Sequence, residues 1–227
     1  MEKLEKVPVD ASEKKVYSTT LRNTFLSSYF ILLGYTGLTL IEAIRTPFAH
    51  VRHIMNIETT VSIIAGLFYG LFNEEMKKDA VDLKKINELR YLDWSITTPL
   101  ILLALLLFYN EKSSIDSKTF LQLISLNGGM LLTGYLGETG TISKPVGAIS
   151  GFAFYLALLY LFYSCCVPKS SNQTVFWVFA VIWALYGVNY MIEEEETKNI
   201  GYNVLDVASK ALFGVVLWMY FGHILKF

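Results

Sequence analysis

Seven apolar stretches limit what this chain can fold into more than any other feature. They occupy residues 24–44, 54–73, 91–109, 119–138, 146–167, 174–192 and 202–225. A helix needs roughly 20 apolar residues to cross the hydrocarbon core of a bilayer, which is about 30 Å thick. Lipid offers no partners to backbone polar groups, so only helices and closed barrels span it, and runs such as residues 100–107 lack the alternation of barrel strands. The sequence therefore predicts an all-α membrane protein, built as a bundle of seven transmembrane helices.

The composition agrees with one membrane-embedded domain. Hydrophobic residues make up 53% of the 227 residues and charged residues only 17%, whereas soluble globular proteins carry about 25% charged residues. The polar segment at residues 1–20 lacks the apolar core that a cleaved signal peptide needs. The longest linker, residues 77–90, is charged and fits either an ordered hairpin or a helix lying on the membrane. No linker could hold a second domain, so we expect a single domain over residues 1–227.

Charge and cysteine content exclude several classes of function. The formal net charge is −1, which gives no basic surface for a nucleic-acid partner. The two cysteines, Cys165 and Cys166, are adjacent, so they predict no disulfide framework. They are most simply two small apolar residues near a helix end, and we predict no metal site.

Few ionisable residues lie inside the predicted spans, and they fall on two helical faces. In the third span Arg90, Asp93 and Thr97 stand at i, i+3 and i+7, and in the seventh Asp206 and Lys210 are one turn apart. A free ammonium at this depth costs about 2.5–3.5 kcal/mol on insertion scales, so an intramembrane lysine needs a reason to be there. Two interpretations are open. Lys210 forms an ion pair with Asp206 or Asp93 that only fixes helix register, or burial frees its amine to form a Schiff base with an aldehyde.

Two further spans show stripes with the same spacing. These are Asn127, Met130 and Gly134 in the fourth span, and Trp183, Tyr186 and Tyr190 in the sixth. Such stripes usually indicate ordinary helix packing. Beside a buried Asp–Lys pair, they also fit the wall of a cavity for a long apolar ligand.

The third and seventh spans together resemble the microbial (type I) rhodopsins. The third-helix pattern of that family, R-Y-x-D-W-x-x-T-T-P, is present at Arg90–Pro99, and its seventh-helix pattern, L-D-x-x-x-K, at Leu205–Lys210. The seven-span layout matches over nearly all of the chain after residue 20. The resemblance implies a protein that is not an enzyme and whose cofactor is all-trans retinal, bound to Lys210 as a protonated Schiff base. It further implies that Asp93 is the counterion and proton acceptor and that Asp206 is the second counterion.

The same resemblance assigns the residues around the retinal. It places Arg90 on the extracellular side of the two carboxylates and implies a hydrogen bond between Thr97 and Asp93. The implied pocket consists of Trp94, Thr98, Ile101, Met130, Gly134, Ser150, Phe154, Trp183, Tyr186, Tyr190 and Ser209. Two positions depart from the family pattern: Gly187 replaces the usual proline of the sixth helix, and Tyr190 stands where a tryptophan is common. These departures bear on the absorption maximum and on the helix kink.

The mechanism of transport depends on the proton donor. In outward proton pumps of this family an acid lies eleven residues after the counterion, and this position is Ala104 here. Glu58 offers a replacement, because it lies eleven residues before Tyr69 on the same helical face, about 16 Å along the second span. A glutamate in an apolar half-channel can hold a proton for the Schiff base. Alternatively, Glu58 is a solvated residue at a helix end, since His53 and Asn56 are close by.

The first linker points to a subgroup of the family. Residues 45–53, followed by residues 56–58, look like the viral rhodopsins of algal giant viruses. They are most similar to the proton-pumping group, in which a second-helix glutamate takes the place of the donor. This resemblance implies a homo-oligomer in a lipid bilayer, a pentamer or a trimer, with Arg45 facing a central pore. It favours a light-driven outward proton pump.

Rival functions and the orientation stay open. A light-gated cation channel typically carries several acids along the second helix, whereas this span has Glu58 alone, and no signature of a sensory photoreceptor is readable. Glu193 and Glu194 either release protons outward or belong to a solvated loop. The family implies an extracellular N-terminus and a cytoplasmic C-terminus. Lys and Arg would then be more numerous outside, which is the reverse of the positive-inside rule.

Overall fold

The computed structural model describes residues 17–110, 116–167 and 173–221. Over these residues it contains seven helical segments and no strand, which confirms the predicted architecture. The first six segments are α1 (Thr19–Arg45), α2 (Ala49–Met76), α3 (Leu83–Tyr109), α4 (Ser117–Glu138), α5 (Lys144–Cys166) and α6 (Thr174–Tyr190). The seventh, α7, is an α-helix over Glu195–Asp206, a π-helix over Val207–Leu212 and again an α-helix over Phe213–Phe221.

Some of the predictions fall on residues outside the described part of the chain. These are residues 1–16 of the polar N-terminal segment, the linker residues 111–115 and 168–172, and the end of the seventh span beyond residue 221. Where they are described, most of the helices extend past the predicted apolar spans. Capping side chains and polar helix formers continue a helix where the hydrophobic stretch has ended.

The charged linker at residues 77–90 mostly belongs to α3. Asp82 accepts a hydrogen bond from the backbone N–H of Lys85 at 3.1 Å, which satisfies one of the free N–H groups at the helix start. The helix therefore begins at Leu83 and continues without a break into the third span. The second half of this linker thus extends a spanning helix instead of forming a hairpin or a separate surface helix, and Arg90 lies two turns inside α3.

The described helices have the length and surface of a membrane bundle. Five of them, α1, α2, α3, α5 and α7, are long and apolar enough to cross a membrane. α6 is apolar but shorter, at 17 residues, and α4 mixes apolar residues with glycines and polar side chains. Large apolar side chains are exposed on the outside of the bundle, among them Phe30, Ile44, Leu67, Ile149 and Tyr160. Such an exterior is expected where lipid replaces water as the solvent.

The bundle contains two apolar clusters, one near each end, and polar residues lie between them. Short connections join consecutive helices, so the loops lie alternately at two ends of the bundle. We call the end with the α1–α2 loop the inner end and the end with the α2–α3 loop the outer end. On α3, Ile86 belongs to the cluster near the outer end, and Ile101 and Leu105 belong to the cluster near the inner end. Arg90 and Asp93 therefore occupy the level between the two clusters.

Candidate functional site

The amine of Lys210 lies between two buried carboxylates. Its Nζ atom is 2.6 Å from Asp93 Oδ2 and 3.2 Å from Asp206 Oδ1, and none of the three side chains is more than 1% exposed. α3 and α7 thus contribute to a single ion cluster, which we call the counterion cluster. Lys210 belongs to the π-helical stretch of α7, and π-helical turns are frequent at functional sites.

Asp206 is held by four donors from three other helices. Its carboxylate accepts hydrogen bonds from Tyr69 Oη at 2.9 Å, Trp94 Nε1 at 3.0 Å and Tyr186 Oη at 2.9 Å. Arg90 Nη1 lies 3.1 Å from its second oxygen, Oδ2. Several donors that favour the charged form keep a buried carboxylate ionised, so this environment suits a permanent anion.

Asp93 has far fewer partners. Its Oδ2 pairs with Lys210, while its Oδ1 is buried and has no hydrogen-bond partner among the described residues. Thr97 Oγ1 does bond to Asp93, but it donates to the backbone oxygen, at 2.9 Å, and not to the carboxylate. The charge of Asp93 therefore depends mainly on the amine of Lys210.

Arg90 closes the cluster toward the outer end. Its buried guanidinium donates to Asn199 Oδ1 at 3.3 Å and also to Asn203 Oδ1. The rings of Phe72 and Phe25 lie 4.9 Å and 5.2 Å from its Cζ atom, within the range of cation–π contacts. These hydrogen bonds and cation–π contacts together hold the Arg90 guanidinium in its position in the structure.

The sequence predictions missed Asn199 and Asn203. With Asp206 and Lys210 these asparagines stand at i, i+4, i+7 and i+11 along α7. Asn203 Nδ2 also donates to Thr24 Oγ1 at 2.9 Å, which ties α1 to the cluster. A search of the seventh helix for polar residues on the face of Lys210 would have found both asparagines.

Two adjoining cavities begin at the Lys210 side chain and run between α3, α4, α5 and α6. They share the lining residues Trp94, Met130, Leu131, Trp183 and Tyr186. The cavity beside the amine is completed by Thr98, Ile101, Ser209 and Lys210. The other is completed by Tyr91, Gly134, Gly147, Ala148, Gly151, Phe152, Tyr155, Gly187, Tyr190 and Tyr202. Together they form a mostly apolar trough that ends at an amine.

α5 turns a different face to this trough from the one predicted. Ser150 and Phe154 line neither cavity, and Phe154 is 36% exposed. The lining residues of α5 include Gly147, Gly151 and Tyr155, which are spaced by four. One residue of offset turns a helix by about 100°, so the predicted positions lie beside the correct face. The assignment of Ser150 and Phe154 to the pocket thus differs from the lining of these two cavities.

The predicted stripe of residues on α4 has two roles: two of its residues line the trough and the third packs behind the trough wall. Met130 and Gly134 line the trough, whereas Asn127 packs behind it and donates to Thr98 Oγ1 at 2.7 Å. Thr98 in turn donates to the backbone oxygen of Trp94 at 2.7 Å. These bonds connect α4 to the part of α3 that carries the trough wall.

Glu58 is buried in the inner half of the bundle, with 1% of its surface exposed. Its Oε2 accepts a hydrogen bond from Tyr35 Oη at 3.2 Å, and its Oε1 has no partner among the described residues. A Cβ atom placed on Gly214 would lie 2.7 Å from Oε2, so the carboxylate lies against α7 one turn beyond Lys210. The alternative of a solvated glutamate at a helix end does not hold for this structure.

The acids of the outer end divide into exposed residues and residues paired with Lys198. Glu193 and Glu194 are both exposed, and Glu194 caps α7 by accepting a hydrogen bond from the backbone N–H of Glu196 at 3.0 Å. The buried Lys198 pairs instead with Glu138 and Glu195. Glu138 lies on α4 and Glu195 on α7. Because the two acids come from different helices, the local sequence around either of them did not indicate that both pair with Lys198.

A family model described as bacteriorhodopsin-like protein matches residues 20–224 of the chain. The chain belongs to the bacteriorhodopsin-like family. The match runs from the first turn of α1 beyond the last described residue of α7, so it covers the whole bundle. The resemblance to microbial rhodopsins, deduced from two short motifs, is confirmed.

Individual bacteriorhodopsin-like proteins agree with this membership. The crystal structure of viral rhodopsin OLPVRII is 38% identical and superposes with a TM-score of 0.85 over 91% of this chain and 99% of that one. Archaerhodopsin-2 of Halobacterium sp. (strain aus-2) is 30% identical over 83% of this chain and 77% of its own length. A green-light absorbing proteorhodopsin of the gamma-proteobacterium EBAC31A08 is 26% identical over 57% of this chain and 59% of its own length. The aligned part thus spans less than two thirds of that proteorhodopsin.

The bacteriorhodopsin-like family binds retinal as its chromophore, and the residues of this site fit that group. The trough is long, apolar and rich in aromatic rings, and it ends at the only lysine that lines it. The unpartnered Asp93 Oδ1 lies beside that lysine. An aldehyde with a polyene chain needs an amine, an apolar wall and a nearby anion, and the site offers all three.

Proposed function

We propose that this protein is a light-driven outward proton pump that carries all-trans retinal on Lys210 as a protonated Schiff base. The observation that carries the proposal is the unequal pair of carboxylates at the Lys210 amine. Asp206 has four donors besides the amine, whereas Asp93 relies on the amine alone. One acid is suited to staying charged and the other to accepting a proton.

Retinal, when bound, supplies the absorption of light and the change of shape that starts transport. Trp94 and Trp183, which both line the trough, would hold it, and Lys210 Nζ would be its point of attachment. Asp93 Oδ2 receives the proton from Lys210 Nζ, across a distance of 2.6 Å in this structure. Asp206 remains ionised through this transfer and keeps Arg90 in place toward the outer end.

Glu58 then returns a proton to Lys210 Nζ from the inner side. On α3 the inner half offers no acid, because Ile101, Leu102, Ala104 and Leu105 are buried in the apolar cluster. Glu58 is buried beside Gly214, one turn from Lys210. Tyr35, which donates to its Oε2, orients the carboxylate.

The packing of the inner end favours a pump over a light-gated cation channel. Val51, Leu102, Phe176, Phe179 and Leu217 are buried there in one apolar cluster. A conducting pore requires a continuous path lined by water or polar groups, whereas these side chains are apolar, which supports the proposal of a pump. A channel remains the rival outcome of the experiment below.

The remaining features of the proposal follow the family resemblance. The protein acts as a single domain over residues 1–227, is not an enzyme, and lies in the bilayer with its N-terminus outside and its C-terminus in the cytoplasm. It assembles as a homo-oligomer, a pentamer or a trimer, and Arg45, which is exposed at the inner end of α1, faces the central pore.

Light-induced pH changes test the proposed function directly. Cells that contain the retinal-loaded protein are suspended in unbuffered medium and illuminated. A pump acidifies the medium without any pre-existing gradient, and a protonophore abolishes the signal. A channel gives no acidification under these conditions, and its current under voltage clamp reverses at a finite potential. Lys210→Ala is the control, and it is expected to remove both the visible absorption band and the pH signal.

A further inference from the structure

A second ion cluster lies at the outer end, close to Arg90; its lysine is buried and Glu138 nearly so, while the Glu195 side chain is 32% exposed. Lys198 of α7 is 1% exposed, and its Nζ atom lies 2.6 Å from Glu138 Oε1 of α4 and 2.7 Å from Glu195 Oε1 of α7. Asn87 of α3 donates to Glu138 Oε1 at 2.7 Å and to Glu195 Oε2 at 2.9 Å. We call Asn87, Glu138, Glu195 and Lys198 the outer latch.

The outer latch and the hydrogen bond between Arg90 and Asn199 form two successive cross-links between α3 and α7. On α3, Asn87 precedes Arg90 by one turn, and on α7, Lys198 is the neighbour of Asn199. Asn199 Oδ1 accepts a hydrogen bond from Arg90 at 3.3 Å, and its Nδ2 donates to the backbone oxygen of Glu195 at 3.0 Å. One turn of α7 thus carries both cross-links, so its distance from α3 determines whether Asn199 reaches Arg90.

α6 supports the same turn of α7 from a third side. Asn189 Nδ2 donates to the backbone oxygen of Lys198 at 2.8 Å. A Cβ atom on Gly201 would overlap the Asn189 side chain, so the two helices meet closely at this point. The turn that bears Lys198 and Asn199 is therefore held by α3, α4 and α6 together.

We propose that Lys198 is a positioning residue: by its ion pairs in the outer latch it holds its turn of α7 beside α3 and so keeps Arg90 against Asp206. A buried ammonium is tolerated only while anions compensate it. If both carboxylates are replaced by neutral amides, Lys198 loses the anions that compensate its charge, and its turn of α7 moves toward water. The proposal rests on the proposed roles of Lys210, Asp93 and Asp206.

Other titratable groups surround the latch. Tyr91 of α3, Tyr190 of α6 and Tyr202 of α7 lie within electrostatic range of Glu138, and Tyr17, before α1, lies within range of Glu195, Asp82, Glu194 and Glu196. Lys144 of α5 lies over the ring of Tyr190. Phenols stay neutral and amines stay charged on acidification. Among the described residues, the acids that pair with Lys198 are Glu138 and Glu195.

An acid titration of the colour of the retinal-loaded protein tests the proposal. Asn87→Ala removes the tie to α3 without changing any charge. It is expected to move the midpoint of the acid-induced colour change upward by about one pH unit, a tenfold change in proton affinity. The reason is that the positive charge of Arg90 draws away from the carboxylates of the counterion cluster.

Charge variants separate the latch from a simple field effect. Lys198→Met removes a positive charge, and the double variant Glu138→Gln, Glu195→Gln removes two negative ones. If the residues act only through their electric field, the two variants shift the midpoint in opposite directions. The latch predicts an upward shift in both. The matched control is Lys77→Met, which breaks an exposed ion pair with Glu74 at the same end and is expected to leave the midpoint unchanged.

Hydrogen–deuterium exchange of the retinal-free protein gives a readout that does not depend on colour. Asn87→Ala and Lys198→Met are expected to increase exchange over residues 195–203, whereas Lys77→Met is not. If the wild-type protein forms no visible band with retinal, the proposed function is contradicted. The hydrogen–deuterium exchange of residues 195–203 then tests the outer latch by itself. If the band is normal but the midpoint of the colour change is unshifted, or shifts in opposite directions in the two charge variants, the proposal of the outer latch is wrong. Unchanged exchange over residues 195–203 also contradicts it.

Discussion

Lys210 Nζ lies 2.6 Å from Asp93 Oδ2, while the second oxygen of the same carboxylate has no hydrogen-bond partner among the described residues. A buried carboxylate stabilised by one cation becomes a good proton acceptor as soon as that cation gives up its proton. Asp206, by contrast, also forms an ion pair with Arg90, at 3.1 Å. The relation between Lys210 and Asp93 is therefore the one on which the proposed transport depends.

The first prediction concerns Asp93→Asn. Loss of the negative charge beside the Lys210 nitrogen removes the anion that stabilises its protonated form. We expect the absorption band of the retinal-loaded protein to move to longer wavelength, and light-driven acidification to vanish. Absorption spectra and the light-dependent pH trace measure these effects. A variant with unchanged colour would show that Asp93 is not the counterion.

The second prediction concerns Glu58→Gln. An amide at this position cannot supply a proton, so the return of a proton to Lys210 should slow by on the order of a hundredfold, the usual scale for a general acid. The preceding transfer to Asp93 should keep its rate. Flash photolysis separates the two steps. Glu74→Gln, at an exposed glutamate of the same helix, is the control. Equal rates in both variants would remove Glu58 as the donor.

The third prediction concerns the close contact of α7 with α1 and α2. Alanine usually stabilises a helix relative to glycine, by about 0.5–1 kcal/mol. At Gly214, however, the added Cβ would overlap the hydroxyl of Tyr35 and crowd Glu58, so Gly214→Ala should lower stability by about 1–3 kcal/mol. Gly37→Ala is the matched control, since nothing lies within 4 Å of its added Cβ. Thermal unfolding of the two variants should move in opposite directions, and parallel shifts would contradict the proposed contact.

The fourth prediction concerns the face that α5 turns to the trough. Gly151→Leu fills space that the proposed retinal occupies, so it should greatly reduce formation of the visible band when retinal is added. Ser150→Leu, one residue away, introduces the same side chain outside the lining and should form the pigment normally. The amplitude of the band after reconstitution measures both. The reverse pattern would restore the register predicted from the sequence.

The sequence was sufficient to predict the architecture, because a membrane helix must form all its backbone hydrogen bonds internally and be apolar for about 20 residues. It also sufficed for the contact of Lys210 with Asp93 and Asp206, since each motif places its polar residues on one helical face. It did not indicate the trough-lining face of α5, on which Ser150 and Phe154 do not lie, because α5 carries no charged residue after Lys144 to fix its rotation. It also missed Asn199 and Asn203, which lie outside the two motifs.

The sequence by itself determined that seven helices cross a bilayer and that one amine and two acids share its interior, because hydrophobic length and helical spacing are local properties. Only the tertiary structure decided that Asp206 collects four donors and Asp93 none but the amine, that Glu58 reaches α7 beside Gly214, and that Lys198 pairs with a glutamate from α4. Each of these depends on the rotation and separation of helices distant in the chain. Those quantities follow from the packing of all seven helices together, and no single stretch of sequence contains them.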